Sequence, residues 1–187
     1  YLAKNGIQED SLSIPSNMYI WATMNSADQG VFPMDTAFKR RWEFEYIGID
    51  ENEKDVENFY IPICESKKVK WNELRKAIND KLIELGINED KLLGPFFLNK
   101  TMLENAMNKD SNFIKSFESK VLMYLFEDAA KMKVRQLFNL PNDKYIYSEI
   151  CKKFENDGLT VFNLMENSKV VIEDVESASQ SANGALF

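Results

Sequence analysis

Asn25, Arg40 and Arg41 are of the types, and in the order, that handle phosphate chemistry. Residues 18–23, MYIWAT, are mostly apolar with no alternation, the pattern of a strand buried on both faces in a parallel sheet. Asn25 then lies just past a strand's C-terminal end, the edge at which open α/β sheets bind ligands. Its amide can donate to a phosphate oxygen and accept from a water while staying neutral. It can therefore position an attacking water beside a polyphosphate without adding negative charge. A turn-forming Asn is the plainer reading of the same residue.

Phe32, Pro33, Met34 and Asp35 open a helix, with Pro33 suited to its first turn and Asp35 favourable near the positive end of the dipole. Met34, Ala37, Phe38 and Arg41 share one face by spacing, and Arg40 projects to its flank. Arginines at a helix C-terminus interact favourably with the dipole and need no further role. The functional reading is an arginine finger, a guanidinium reaching a nucleotide's terminal phosphate from a neighbouring subunit. In GTPases such a group contributes about 10³–10⁵ in rate. Strand, Asn, acidic turn, Pro-started helix and paired Arg in this order are hard to obtain by chance.

The segment MNSADQGVFPMDTAFKRRWEF resembles the sensor 1 to arginine-finger region of the McrB-type AAA+ GTPases, the motor subunits of modification-dependent (5-methylcytosine-specific) restriction systems. The resemblance implies that Asn25 matches sensor 1 and Asp28 the acidic residue of the signature. Arg40 and Arg41 then match the finger pair. Ser26 and Gln29 stand where the family often has Thr and Arg, so no role of that Arg carries over. The match covers residues 14–49, with a looser one through a helical lid over residues 71–138. A Gly-containing segment opens the family's lid helix, sometimes with a basic sensor 2 residue. Here the corresponding segment is KLLGPFFL, and its nearest cation is Lys91.

No GxxxxGK[ST] loop occurs in the 187 residues, and no apolar strand ending in paired acids precedes Asn25. P-loop enzymes hold the β- and γ-phosphates and Mg²⁺ with those two motifs. The chain, which opens on Tyr1, is thus expected to be the C-terminal part of a motor whose phosphate-binding half lies upstream. Composition favours a cytoplasmic globular protein: 44% hydrophobic residues supply a core. No apolar run reaches the roughly 18 residues of a membrane span. Cys64 and Cys151 read as free thiols in a reducing compartment. The absence of histidine removes Ser-His-Asp, Cys-His and His-metal sites from this chain. A net charge of −7 argues against a broad nucleic-acid footprint, which needs clustered Lys and Arg.

The remaining residues read mainly as helices. Residues 42–46 alternate aromatic and Glu, as an edge strand with one wet face does, and residues 50–57 form a charged connection containing a short helix. Trp71, Leu74, Ile78, Leu82 and Leu85 form one helical stripe that Gly86 stops. Ile114, Phe117, Val121, Tyr124, Leu125 and Ala129 form a second, longer one. Such stripes bury against one another in a small helical lid, whose core Phe96 and Phe97 are expected to plug. Asp110, Glu118 and Lys120 superficially match a D…ExK nuclease pattern, but Glu118 and Lys120 sit in a helical period, where carboxylates converging from a strand are not expected. Residues 67–70, KKVK, and the basic residues 131–135 read as solvated faces or helix ends.

The expected architecture is α+β, the last strands of an AAA+ core followed by a mostly α-helical lid. Its parts are residues 1–50 (core), 51–70 (connection), 71–165 (lid) and 166–187 (a Ser/Ala-rich, acidic tail expected to be disordered). The full protein is expected to hydrolyse GTP or ATP with Mg²⁺ in a ring of its own copies. Its expected partners are a nuclease subunit and DNA bound through other parts, with no membrane. The alternative is a non-catalytic helical module that binds a nuclease or regulatory subunit. Without a phosphate loop, the isolated chain should neither bind nor hydrolyse nucleotide. Calorimetry with GTP and ATP plus Mg²⁺ checks this, and micromolar binding would contradict it.

Overall fold

A computed structural model describes residues 14–23, 35–64, 66–108, 112–141 and 144–175. Strands β1 (Tyr60–Cys64), β2 (Lys67–Lys70) and β3 (Ile172–Asp174) form one antiparallel sheet in that order. Alternation turns Ile61, Ile63 and Val69 inward. Pro62, which has no N–H to donate, sits on edge strand β1, where only one side of the ladder must be met. On the outer face Lys68 lies 4.6 Å from the centre of the Tyr60 ring and 3.4 Å from Glu173.

This sheet corrects two expectations. Residues 67–70 are a central strand rather than a solvated face, because Val69 is buried and β2 pairs on both sides. Residues 166–175, expected to be disordered, include β3, and the Val175 N–H donates to the Ser66 carbonyl at 2.8 Å. Residues 176–187 lie outside the described residues.

Helix α1 (Thr36–Lys39) is a single turn, and residues 53–56 form the short helix expected in the connection, as a 3-10 turn. Helix α2 (Trp71–Glu84) buries Trp71, Leu74, Ala77, Ile78 and Leu82. It stops where Gly86 adopts φ 75°. The Gly86 N–H then bonds to the Ile83 carbonyl at 2.9 Å and the Ile87 N–H to that of Leu82 at 3.0 Å, a Schellman closure that favours glycine. Helices α3 (Lys100–Met107), α4 (Phe113–Phe117), α5 (Val134–Leu137) and α6 (Tyr147–Asp157) complete the set. Among the described residues no helix is long and apolar enough to cross a membrane.

The long helix expected across residues 114–129 is present in modified form. After α4 it continues as π turns over Glu118–Leu122 and Leu125–Ala129. Phe113, Phe117, Val121, Leu125 and Ala129 are all buried and recur every fourth residue. At about 100° per residue an α-helix would carry such a stripe about 40° further round at each step. Wider i→i+5 turns absorb that drift and keep the stripe on the core.

Phe117 is the centre of the core. Its ring stacks on Phe154 of α6 at 4.9 Å, meets Trp71 edge-on at 6.4 Å and lies 6.2 Å from Phe113. Gly158 ends α6 with φ 60°, and a Cβ there would lie 3.4 Å from the Ile63 carbonyl, so α6 meets β1 through a glycine.

Two expected strands are not formed. Residues 18–23 are exposed, Trp21 at 89%, and belong to no ladder. Residues 42–46 are likewise outside any strand. An apolar run becomes a buried strand only against neighbours that supply hydrogen bonds and cover, and none of the described residues does so. The α+β class agrees with the structure.

Removing the Phe117 ring should cost about 3–5 kcal/mol, the range for a large aromatic truncated in a packed core. Urea unfolding of Phe117→Ala measures it, and a loss under about 1 kcal/mol would show a core able to collapse around the gap.

Candidate functional site

Asn25 and Asp28 lie outside the described residues, while Arg40, Arg41 and Lys91 lie within them. α1 exposes every residue from 35 to 41. Arg40 caps its C-terminus with helical backbone, its N–H meeting the Thr36 carbonyl at 3.1 Å. Arg41 turns back on the helix, its Nη1 donating to the Ala37 carbonyl at 3.1 Å. A guanidinium there satisfies a carbonyl that a helix end leaves unmet. The two arginines thus differ: Arg41 serves its own helix, and Arg40 sits exposed at its end.

Lys91 closes the 3-10 turn Glu89–Lys91 with an exposed side chain, and its carbonyl accepts from the Tyr124 hydroxyl at 3.1 Å. The loop that follows is held through its backbone. Trp71 Nε1 donates to the Pro95 carbonyl at 2.8 Å. Asn79 takes Leu93 from both sides, donating to its carbonyl at 2.9 Å and accepting from its N–H at 2.8 Å. The loop's plug is Leu93 and Leu98, both buried, rather than the two phenylalanines. Phe96 is 46% exposed, and Phe97 is half-buried 4.9 Å from Tyr124. A 3-10 turn over Pro95–Phe97 directs the apolar side chains on either side of it inward.

The strongest electrostatic feature lies beneath this loop. Arg75 has 0% exposure, and its donors are distributed over three segments. Nη1 is 3.1 Å from the Leu93 carbonyl and 2.8 Å from Asp50. Nη2 is 2.6 Å from Asn72 Oδ1 and 3.2 Å from Glu53, and Nε is 3.0 Å from Asn72 Oδ1. Lys76 also contacts Glu53 at 2.6 Å, and this hydrogen bond is the main reason the Glu53 carboxyl is held below its ordinary pKa. Just upstream, the neighbouring Glu89 pushes the Tyr46 phenol up. Arg75 and Asn79 escaped the sequence reading. The available signal was two polar residues four apart beside Leu74 and Ile78, on the buried side of an otherwise apolar stripe.

Two residues of the nuclease pattern fall within the described residues, and they do not converge. Asp110 lies outside the described residues, and Glu118 and Lys120 diverge. Lys120 Nζ lies 3.8 Å from Met102 Sδ, whereas Glu118 is 4% exposed and pairs with Lys115 at 3.2 Å. Lys115 also bonds to Glu155. Among the described residues no three Asp, Glu or Cys side chains converge as metal ligands. The Glu118 Oε1 atom is buried without a partner among the described residues, and burial pushes its carboxyl up despite Lys115. Burial also raises the free Cys151 thiol, so it is a poor nucleophile.

Because Glu118's folded pKa lies above its ordinary 4.5, the folded state binds the proton more tightly than the unfolded one. Its contribution to stability is fully present below pH 4.5 and is lost as pH rises through the folded value. Glu118→Met leaves Lys115 its Glu155 partner. It should raise the unfolding midpoint at neutral pH and flatten the decline above pH 4.5, measured by thermal unfolding across pH. A lower midpoint at pH 7 in the variant would mean that the Lys115 pair outweighs the burial penalty.

No protein-family model matches the chain, and no solved structure matches it. The chain is similar to the YdiS component of the type II restriction enzyme BsuMI of Bacillus subtilis (strain 168), with 40% identity over 174 residues. The match covers 91% of this chain and 47% of that protein, so the chain spans about half the length of the relative it matches.

Proposed function

We propose that this chain belongs to a restriction-system protein and forms the C-terminal part of an AAA+ motor subunit of the McrB type. The observation that carries the restriction role is the 40% identity, across 91% of the chain, to a restriction-enzyme component. The motor role rests on the segment from Asn25 to Arg41. In this reading Asn25 orients the attacking water, Asp28 supports the same site, and Arg40 reaches the terminal phosphate bound by a neighbouring copy. Lys91 stands at the lid loop on the nucleotide's other side. The nucleotide is GTP or ATP with Mg²⁺, held by a phosphate loop outside this chain. The motor works in the cytoplasm as a ring, with a nuclease subunit and with DNA bound elsewhere in the full protein.

The exposed end of α1 supports Arg40 as the finger, since a group acting on a neighbour must be free of its own core. The Arg41 contact with Ala37 supports a structural role for the second arginine. It also favours a second reading, a non-catalytic helical module that docks a nuclease or regulatory subunit. Arg40→Ala in the full-length protein separates the two. Turnover should fall by about 10³ or more with an unchanged unfolding midpoint, and recover partly on mixing with subunits dead only in nucleotide binding. Asn25→Ala should fail in its own site. Normal hydrolysis by the Arg40 variant would sink Arg40 as the finger, and a wild-type protein without turnover would sink the motor reading.

A further inference from the structure

We propose that Arg75 is a positioning residue that couples the connection after the arginine segment to the loop of residues 91–98, so that the two move together. This rests on the motor reading for its purpose, but its geometry stands apart from it. Asp50 and Glu53 lie on the connection nine and twelve residues after Arg41. Leu93 lies two residues after Lys91 and three before the exposed Phe96. One buried guanidinium holds both, with Asp50 at 2.8 Å and the Leu93 carbonyl at 3.1 Å sharing Nη1. Glu53 at 3.2 Å and Asn72 at 2.6 Å take Nη2.

An ordinary core offers no reason to bring an arginine here, because a buried ion pair rarely beats well-packed apolar side chains in stability. What the guanidinium provides is a planar fork that fixes several acceptors relative to one another. Asn79 and Trp71 fix the loop to α2 independently. Arg75 adds the one bond that carries the connection's position into that loop. A displacement of the connection at Asp50 and Glu53 is therefore passed to the backbone beside Lys91.

Asp50 is the residue to test, because its side chain is 49% exposed and Glu53 still partners Arg75 when it is changed. Hydrogen exchange on the full-length protein carrying Asp50→Asn should show the Leu93 and Phe97 amides exchanging about tenfold faster, the size expected for one charge-assisted bond. The α2 amides and the unfolding midpoint should be unchanged. In an Arg75→Lys background the same change should add less than about twofold, since an ammonium cannot hold both acceptors in register. Exchange unaffected by Asp50→Asn, or affected equally in the Arg75→Lys background, overturns the coupling. In the same protein kcat for nucleotide hydrolysis should fall with KM within about twofold. Faster exchange with kcat unchanged overturns the positioning role. A wild-type protein without turnover sinks the motor reading, while the exchange result still decides the coupling.

Discussion

A guanidinium excluded from water organises this molecule. Arg75 has five N–H donors, and the acceptors that meet them come from the connection, from α2 itself and from the loop after Lys91. Leaving that guanidinium without acceptors would strand an uncompensated charge inside the protein. The three segments must therefore arrive together. α2 can deliver this because Arg75 and Asn79 occupy one edge of its buried face while Trp71, Leu74, Ile78 and Leu82 fill the rest. The helix packs a core on one side and grips a loop's backbone on the other.

The apolar core meets that polar node through Trp71. Its ring faces Phe117 and its Nε1 donates to the Pro95 carbonyl, so one side chain belongs to both systems. Phe117 ties α2 to α6 through Phe154, and α6 reaches the sheet where Gly158 lets the backbone approach Ile63. The π turns after α4 keep the inner face of that helix on this cluster for its full length. Their position also buries the Glu118 carboxylate at the first of them, which leaves one of its oxygens without a partner among the described residues.

The two cations of the proposed site lie on the rim of this assembly. Arg40 is exposed at the end of a one-turn helix, and Lys91 is exposed at the mouth of a loop whose backbone is held fast. An exposed cation is free to meet a group outside its own chain, as the proposed finger role requires of Arg40. Similarity to a restriction-enzyme component supports a role in a restriction system.

What the sequence determined alone was whatever depends on short spacing along the chain. The amphipathic stripe of α2 and its glycine stop, the α+β class and the turn of α1 ending in arginines were all legible, because propensity and periodicity decide them locally. The stripe from Ile114 to Ala129 was legible too, though the π turns and the place of Phe113 emerge only against the core that this helix must face. Only the tertiary structure decided that KKVK is a central strand, since three lysines become a strand when β1 and β3 offer hydrogen bonds on both sides. The same reasoning in reverse left residues 18–23 exposed, because strand character needs a partner and none of the described residues provides one. Arg75 shows the limit most plainly: its charge predicts a wet surface, and only acceptors gathered from three distant segments make a dry site the lower in free energy.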